Sequence, residues 1–377
     1  MAALLQATPA RAQFLIAGND EKRTWDENGV VATLPPGKDT VSIIDIRDRA
    51  QPRVVANLPL MNSISGPPTN LAVTGNNTLA LVANSLDWVN KDGAWQGVPD
   101  NKLTVIDIEA ATPQVVSTLT VGRQPSGLAI NKRGNLAIVT NRADNSLSVL
   151  AIHGKDVTTV GTIALAIKNG DPTSVAITPD GRRALVTLTR ANKVAVMNIS
   201  GDSVSDSGYA MTTGLAPYNV QIAFDGKFAL VANRGNAVSD GQVDTVSVID
   251  LEENPPRVID QVAVGDGPRG LAISPAGGFA AALTLNGSVS AKNAFYRHEH
   301  AAIVLLRIDG KKVRKVGETD AGAGAQAIAF SPDGRFLYVG NFLAGTIGIL
   351  RLQGTKLMSV GEIKLPGHPA SLRSSVP

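Results

Sequence analysis

The sequence predicts an all-β fold, a seven-bladed β-propeller of four-stranded blades, on three observations. One phrase recurs along the chain, the strands between its copies keep one order, and the two chain ends hold complementary fragments of a unit. The phrase is a Pro, two variable residues and an apolar triplet: PTNLAV from Pro68, PSGLAI from Pro125, PTSVAI from Pro172, PYNVQI from Pro217, PRGLAI from Pro268, AQAIAF from Ala325 and PASLRS from Pro369. The copies lie 57, 47, 45, 51, 57 and 44 residues apart, the length of four short strands with their turns.

Each unit opens with that phrase as a first strand. A turn follows, most plainly Ser331-Pro332-Asp333-Gly334-Arg335, where Pro presets φ, Asp can bond its own backbone and Gly relaxes the exit. The second strand reads TLALVANS, NLAIVTNR, RALVTLTR, FALVANR, FAAALTLN or FLYVGNF, and the third KLTVIDI, SLSVLAI, KVAVMNI, TVSVIDL, AIVLLRI or TIGILRL. The fourth is more polar, as in Arg257 to Val264, which suits an outer edge. Residues 13 to 60 supply a second strand (QFLIAGN), a third (DTVSIIDI) and a fourth (RVVANLPL) with no first strand, whereas PASLRS is a first strand with nothing after it. Joined, the two ends complete a seventh blade and close the ring, which removes the free edges of a linear array. Residues 13–377 are therefore expected to form one propeller domain.

Composition narrows the function. The 377 residues carry 35 Lys and Arg against 32 Asp and Glu, so no strong field favours nucleic acid. The absence of Cys removes disulfides, thiolate metal sites and cysteine nucleophiles. No apolar run approaches the roughly 18 residues of a membrane span. Residues 1–12, MAALLQATPARA, end in Ala10-Arg11-Ala12, a small-x-small pattern that suits the remnant of a signal peptide and thus a periplasmic or secreted protein; a plain disordered leader is the alternative.

Phrases such as FLYVGN, AIVTNR and FALVANR, each between a Pro-x-x-LAI strand and a TVSVIDL strand, resemble the YVTN-type bacterial β-propellers, whose superfamily neighbours include the seven-bladed lactonases. The resemblance covers nearly the whole chain from Gln13. It implies the fold, and it is compatible with hydrolysis at one propeller face by His, Glu and Arg. It carries over no catalytic residue, because no motif around such residues is matched, and this scaffold hosts unrelated functions.

The site is expected on the face that collects long second-to-third-strand loops: residues 19–38, 84–101, 233–244 and 286–300. Trp25, Trp88, Trp95, Phe295 and Tyr296 fall there and could wall a pocket or pin loops to the blades. Arg142, Arg190 and Arg234 end second strands, Arg123 and Arg269 flank a first-strand Pro, Tyr218 opens PYNVQI, and Arg297 lies in the blade-five loop. A guanidinium ring around one opening would hold carboxylate or phosphate; the alternative is pairing with Asp87, Asp171, Asp266 or Glu27. Of the four His, His298 and His300 bracket Glu299, and His368 precedes the shared blade's Pro. Alternation in extended chain would point His298 and His300 the same way, to bind a divalent metal with open positions, to divide acid and base roles, or to serve structure only.

Two functions follow. The first is an exported enzyme acting on a small anionic substrate at the channel mouth by lactone hydrolysis or lyase-type elimination. Arg123, Arg142, Arg190, Arg234, Arg269, Tyr218, Trp25, Trp88 and Tyr296 would bind the substrate. His298, His300, His368 and Glu299 would move protons, with no cofactor or one divalent metal ion on His298 and His300. The second is a non-catalytic propeller whose aromatic loops meet a protein, cell-wall or redox partner.

Overall fold

The structure, a computed structural model, describes residues 13–375; the leader reading of residues 1–12 lies outside them. Seven four-stranded antiparallel sheets form the blades of a propeller, and in six of them the strands are hydrogen-bonded in chain order from the innermost outward. Blades 1 to 6 begin at Leu71, Pro125, Pro172, Pro217, Pro268 and Ala327. Blade 7 takes its innermost strand from Pro369–Ser374 and the other three from Phe14–Asn19, Thr40–Asp45 and Arg53–Pro59. Leu15 pairs with Ser374, Ala17 with Leu372 and Asn19 with Pro369. Beyond the strand, the Ser375 N–H donates to the Phe14 carbonyl at 2.7 Å, and the Phe14 N–H to Ser375 Oγ at 2.7 Å. Among the described residues no helix is long and apolar enough to cross a membrane.

The core lies between blades. In FLIA, Leu15 and Ala17 pack against Tyr338 and Ile347 of blade 6, and Phe14 and Ile16 against Leu71 and Val82 of blade 1. With both faces covered, the strand reads as a continuous apolar run rather than an alternating one. The polar fourth strands stand at the rim, with the exposure alternating along Arg53–Pro59. The third-strand Asp residues serve turns: Asp45 accepts the Arg47 N–H, Asp107 those of Glu109 and Ala110, and Asp250 that of Glu252.

The Asn that ends the second strand fastens each such blade. Asn141 Nδ2 donates to Ser146 Oγ at 3.1 Å and Ser148 Oγ at 3.0 Å; Asn233 reaches Thr245 and Ser247, and Asn19 reaches Thr40 and Ser42. The glycine before the same blade's first strand lies on that amide: a Cβ on Gly122 would stand 2.4 Å from Asn141 Cγ. Replacing Asn141 by Ala should cost about 2 kcal/mol, since a buried amide and its two hydroxyl acceptors lose partners together. Urea denaturation measures this, with Asn135→Ala on the lower face as the half-exposed comparison.

Two loop expectations are corrected. Residues 84–101 are not a loop: strands Leu79–Lys91 and Ala94–Asp107 run on as a paired ribbon beyond blade 1, closed by Asp92 (φ 53°) and Gly93 (φ 85°). Asp-Gly suits a turn with φ above zero at both positions, whose twist matches the strands. Residues 286–300 are not extended but a series of turns, with N–H bonds from Ser288 to Leu285, Ala294 to Ala291 and Arg297 to Ala294. The geometry that would align His298 with His300 is therefore missing.

Candidate functional site

The loops entering the innermost strands and those joining second to third strands share one face, as expected. They enclose a cavity of about 460 Å³ at the channel mouth. Its walls include Arg23, Trp25, Arg142, Arg234, Arg269, Tyr296 and Gln326.

One wall is held by a buried ionic cluster. Lys22 is fully buried, with Nζ 2.9 Å from Asp20 Oδ1, and it also bonds Asp39 and the Asn62 carbonyl. This fixes the loop after Asn19, and a hairpin, Arg23–Trp25 paired with Val31–Thr33, projects from it over the mouth. Burial raises the Asp39 carboxyl above the usual carboxylate range, against the lowering charge of Lys22. Arg23 lies over the Trp88 ring at 5.6 Å, so Trp88, 6% exposed, supports an arginine from below instead of lining the cavity.

The opposite wall is built on Tyr218. Its ring, 2% exposed, has the Arg234 guanidinium at 4.5 Å and that of Arg269 at 6.0 Å. Arg269 Nη2 donates to the Ala237 carbonyl at 2.6 Å, and Nη1 to Gln326 Oε1 at 3.4 Å. Burial holds Arg269 below its usual pKa, and the like charge of Arg234 adds to this, but a guanidinium lowered in this way is still cationic at physiological pH. Among the described residues, no carboxylate lies within ion-pairing distance of Arg23, Arg234 or Arg269. Arg142 differs: Nε and Nη2 bond both Asp171 oxygens, at 2.8 and 3.0 Å. Burial would lower its pKa, but those bonds outweigh burial and raise it.

Other expected residues stand elsewhere. Arg190 is exposed outside the cavity lining. Arg123 pairs with Asp144 at 2.7 Å on the surface, and Arg297 bonds the Ser290 carbonyl within its own loop. His298, Glu299 and His300 are exposed and line no part of the cavity. His368 stands behind its wall, third in a row of rings: Trp25 meets Phe342 edge-on at 5.6 Å, and Phe342 lies 5.3 Å from His368. His368 Nδ1 is 3.0 Å from Glu21 Oε1. Among the described residues no group of three or more His, Asp or Glu is placed to hold a metal ion, so His298 and His300 have no third protein ligand.

Arg23 and Gln326 were not anticipated. Gln326 was legible as a column: the second residue of each repeat is Thr69, Ser126, Thr173, Tyr218, Arg269, Gln326 and Ala370. The three large polar members fall on consecutive blades and mark the side where the cavity lies. Arg23 had only a weak signal, its i, i+2 relation to Trp25 ahead of an Asn28-Gly29 turn.

The loop supplying Ala237, Val238 and Ser239 to the cavity is tied to acids. Asp266 accepts the Gly241 N–H at 3.0 Å and bonds Ser239; Asp244 Oδ2 accepts the Gly267 N–H at 2.9 Å. Burial pushes Asp244 from 3.8 up to about 6, against the Gly267 bond, with Asp266 and Asp240 adding to the rise. The folded state thus keeps a proton that the unfolded chain has released. The stabilisation is complete below the unfolded pKa and is lost as pH rises through about 6. Asp244→Asn stays neutral, so its melting temperature should match wild type near pH 4, pull ahead of it between pH 4 and 6, and keep a constant lead above that. Parallel curves across that range would contradict the burial of this charge.

Fold and site together define a seven-bladed β-propeller with a basic, aromatic-walled pocket at one mouth of its channel. Over residues 94–208 the chain matches the family model described as "Lactonase, 7-bladed beta-propeller". That stretch runs from blade 1 into blade 3 and contains Arg142 but not Arg23, Arg234 or Arg269. No curated protein sequence matches the chain. Among solved structures, a Bacteroides fragilis protein described provisionally as a 6-phosphogluconolactonase is 17% identical, with a TM-score of 0.72 over 98% of this chain and 99% of that one. A periplasmic gluconolactonase of Pseudomonas aeruginosa is 19% identical, with a TM-score of 0.68 over 97% and 100%. Hydrazine synthase of Kuenenia stuttgartiensis is also 19% identical, with a TM-score of 0.59 over 78% of each chain. At these identities the likeness is one of fold.

Proposed function

We propose that the protein binds a small anionic molecule in the arginine-lined mouth, and that its substrate is the lactone of a sugar acid, opened by hydrolysis. One observation carries this reading: Arg23, Arg234 and Arg269 converge on one cavity with no carboxylate among the described residues to pair with them. Such a site is poised for an anion. In lactone opening, a water oxygen bonds the carbonyl carbon, the carbonyl oxygen gains charge, and the ring C–O bond then breaks. One water proton passes to the ring oxygen and the other to solvent as the carboxylate forms. Guanidinium donors already in place favour the charged intermediate, and removing one such donor costs on the order of 10²–10³ in rate. Trp25 and Tyr296 offer faces for the ring carbons. The family match over residues 94–208 and the names of two structural neighbours support the choice of a lactone. Export to the periplasm or beyond is part of the proposal, supported by the Ala10-Arg11-Ala12 pattern and by one neighbour's description as periplasmic.

The lining residues include no His, Asp or Glu, which favours a second reading, anion binding without turnover. Proton release from glucono-δ-lactone and 6-phosphogluconolactone, measured above the spontaneous rate, separates the two. Enzymatic release that falls to background in Arg234→Gln/Arg269→Gln supports hydrolysis. Product binding without release supports the second reading, and neither binding nor release overturns both. Because His298 and His300 line no part of the cavity, replacing both by Ala should change turnover by less than about threefold.

A further inference from the structure

The opposite end of the channel holds a basic group that the upper site does not use. The innermost strands run from the arginine-lined mouth to the lower face, and their fifth repeat positions are Ala72, Ala129, Ala176, Gln221, Ala272, Ala329 and Arg373. Six blades place a small or neutral side chain there; blade 7 places a guanidinium. Arg373 reaches toward blade 1, where Nε donates to the Leu71 carbonyl at 3.1 Å. That is its one side-chain bond, and among the described residues no carboxylate pairs with it. It lines a cavity of about 130 Å³ with Ile222, Phe224, Ile273 and Phe330. The two hydroxyls of the lining are already committed, Ser374 donating to the Phe330 carbonyl at 2.7 Å and Ser375 to that of Phe14 at 3.1 Å.

A half-buried cation with no protein acceptor on either terminal nitrogen, in a cavity lined by apolar side chains together with Gln221, Ser374 and Ser375, leaves a place for a counter-ion. Burial alone draws the Arg373 pKa down to about 10. We propose that this lower mouth is a second binding site, for a short aliphatic carboxylate whose oxygens bridge the two Nη groups of Arg373 while its alkyl chain lies on Ile222, Ile273 and Phe330. The fork matches a carboxylate in two parallel bonds, and the apolar walls select a carbon chain over a hydrated inorganic ion. The volume is sufficient: at about 130 Å³, against about 30 Å³ for one water, the cavity has room for an acid of two or three carbons. The site is independent of the upper cavity, which lies at the other end of the same strands.

Sodium propionate is the probe, with propionamide as its neutral counterpart, both read by saturation-transfer NMR on the full chain. Wild type should bind propionate in the millimolar range expected of so small a ligand and should not bind propionamide. In the Arg234→Gln/Arg269→Gln background, where the upper mouth has lost its anion donors, propionate should still bind, and adding Arg373→Gln should weaken it at least tenfold, which separates this site from the upper one. If Arg373→Gln does not fold, wild-type crystals soaked in propionate give the answer through density on the Arg373 Nη atoms. Equal binding of propionate and propionamide in that background, an unaltered response on adding Arg373→Gln to it, or soaked crystals without that density would overturn the proposal.

Discussion

Removing the chain from Gly367 onward should abolish the cooperative fold. The deletion takes away the innermost strand of blade 7, with buried Ala370 and Leu372. It also removes the backbone pairing that runs from Leu15–Ser374 to Asn19–Pro369, and the bond from Arg373 to blade 1. The apolar side chains Leu15, Ala17 and Ile44, now completely buried, would meet water at an open edge. The loss should be about 5 kcal/mol or more, comparable with the whole net stability of many domains. Thermal melts followed by circular dichroism should show a broad, low transition. A synthetic peptide of residues 367–377 added to the truncated chain should restore part of it, because the missing strand needs to pair and not to be covalently joined. An unchanged melting temperature would mean that the ring is closed in some other way.

The second large effect concerns the upper mouth. Arg234→Gln and Arg269→Gln should each lower kcat/KM for the lactone about a hundredfold, and together they should bring it to background. Lysine at either position should recover only part, since an ammonium supplies charge without the planar fork that stacks on Tyr218. Arg142→Gln should behave differently. Its guanidinium is committed to Asp171, and the two side chains are only 15% and 13% exposed. Removing one partner strands the other, at a cost of about 3–5 kcal/mol. Arg142→Gln should therefore appear first as lost stability in urea denaturation, with the upper cavity still able to bind ligand in the molecules that remain folded.

The two substitutions also show why the fold was easier to read than the site. Blade construction is periodic, so each weak signal is repeated: Asn141, Asn233 and Asn19 make the same bonds in three blades. Even the seventh blade followed from counting strands at the two ends. A site has no such repetition. Arg142 and Arg234 occupy equivalent places directly after second strands, yet one is paired with Asp171 and the other lies on Tyr218, while Arg190, one residue further along its blade, is exposed. The difference comes from partners far away in sequence. His298 and His300 misled for a local reason. Their spacing implies a common side only in extended chain, and turns tied through Ser290, Ala291 and Ala294 prevent that conformation. The informative signal lay across the repeat, in the column holding Tyr218, Arg269 and Gln326.

The most direct test of an anion site at the upper mouth is diffraction from crystals soaked with 6-phosphogluconate, the opened product of a phosphorylated lactone. Density is expected in the cavity, with a carboxylate or phosphate oxygen within hydrogen-bonding distance of Arg234 and Arg269 and sugar carbons against Trp25. A vacant cavity at saturating ligand, or ligand bound instead beside His298 and His300, would contradict it.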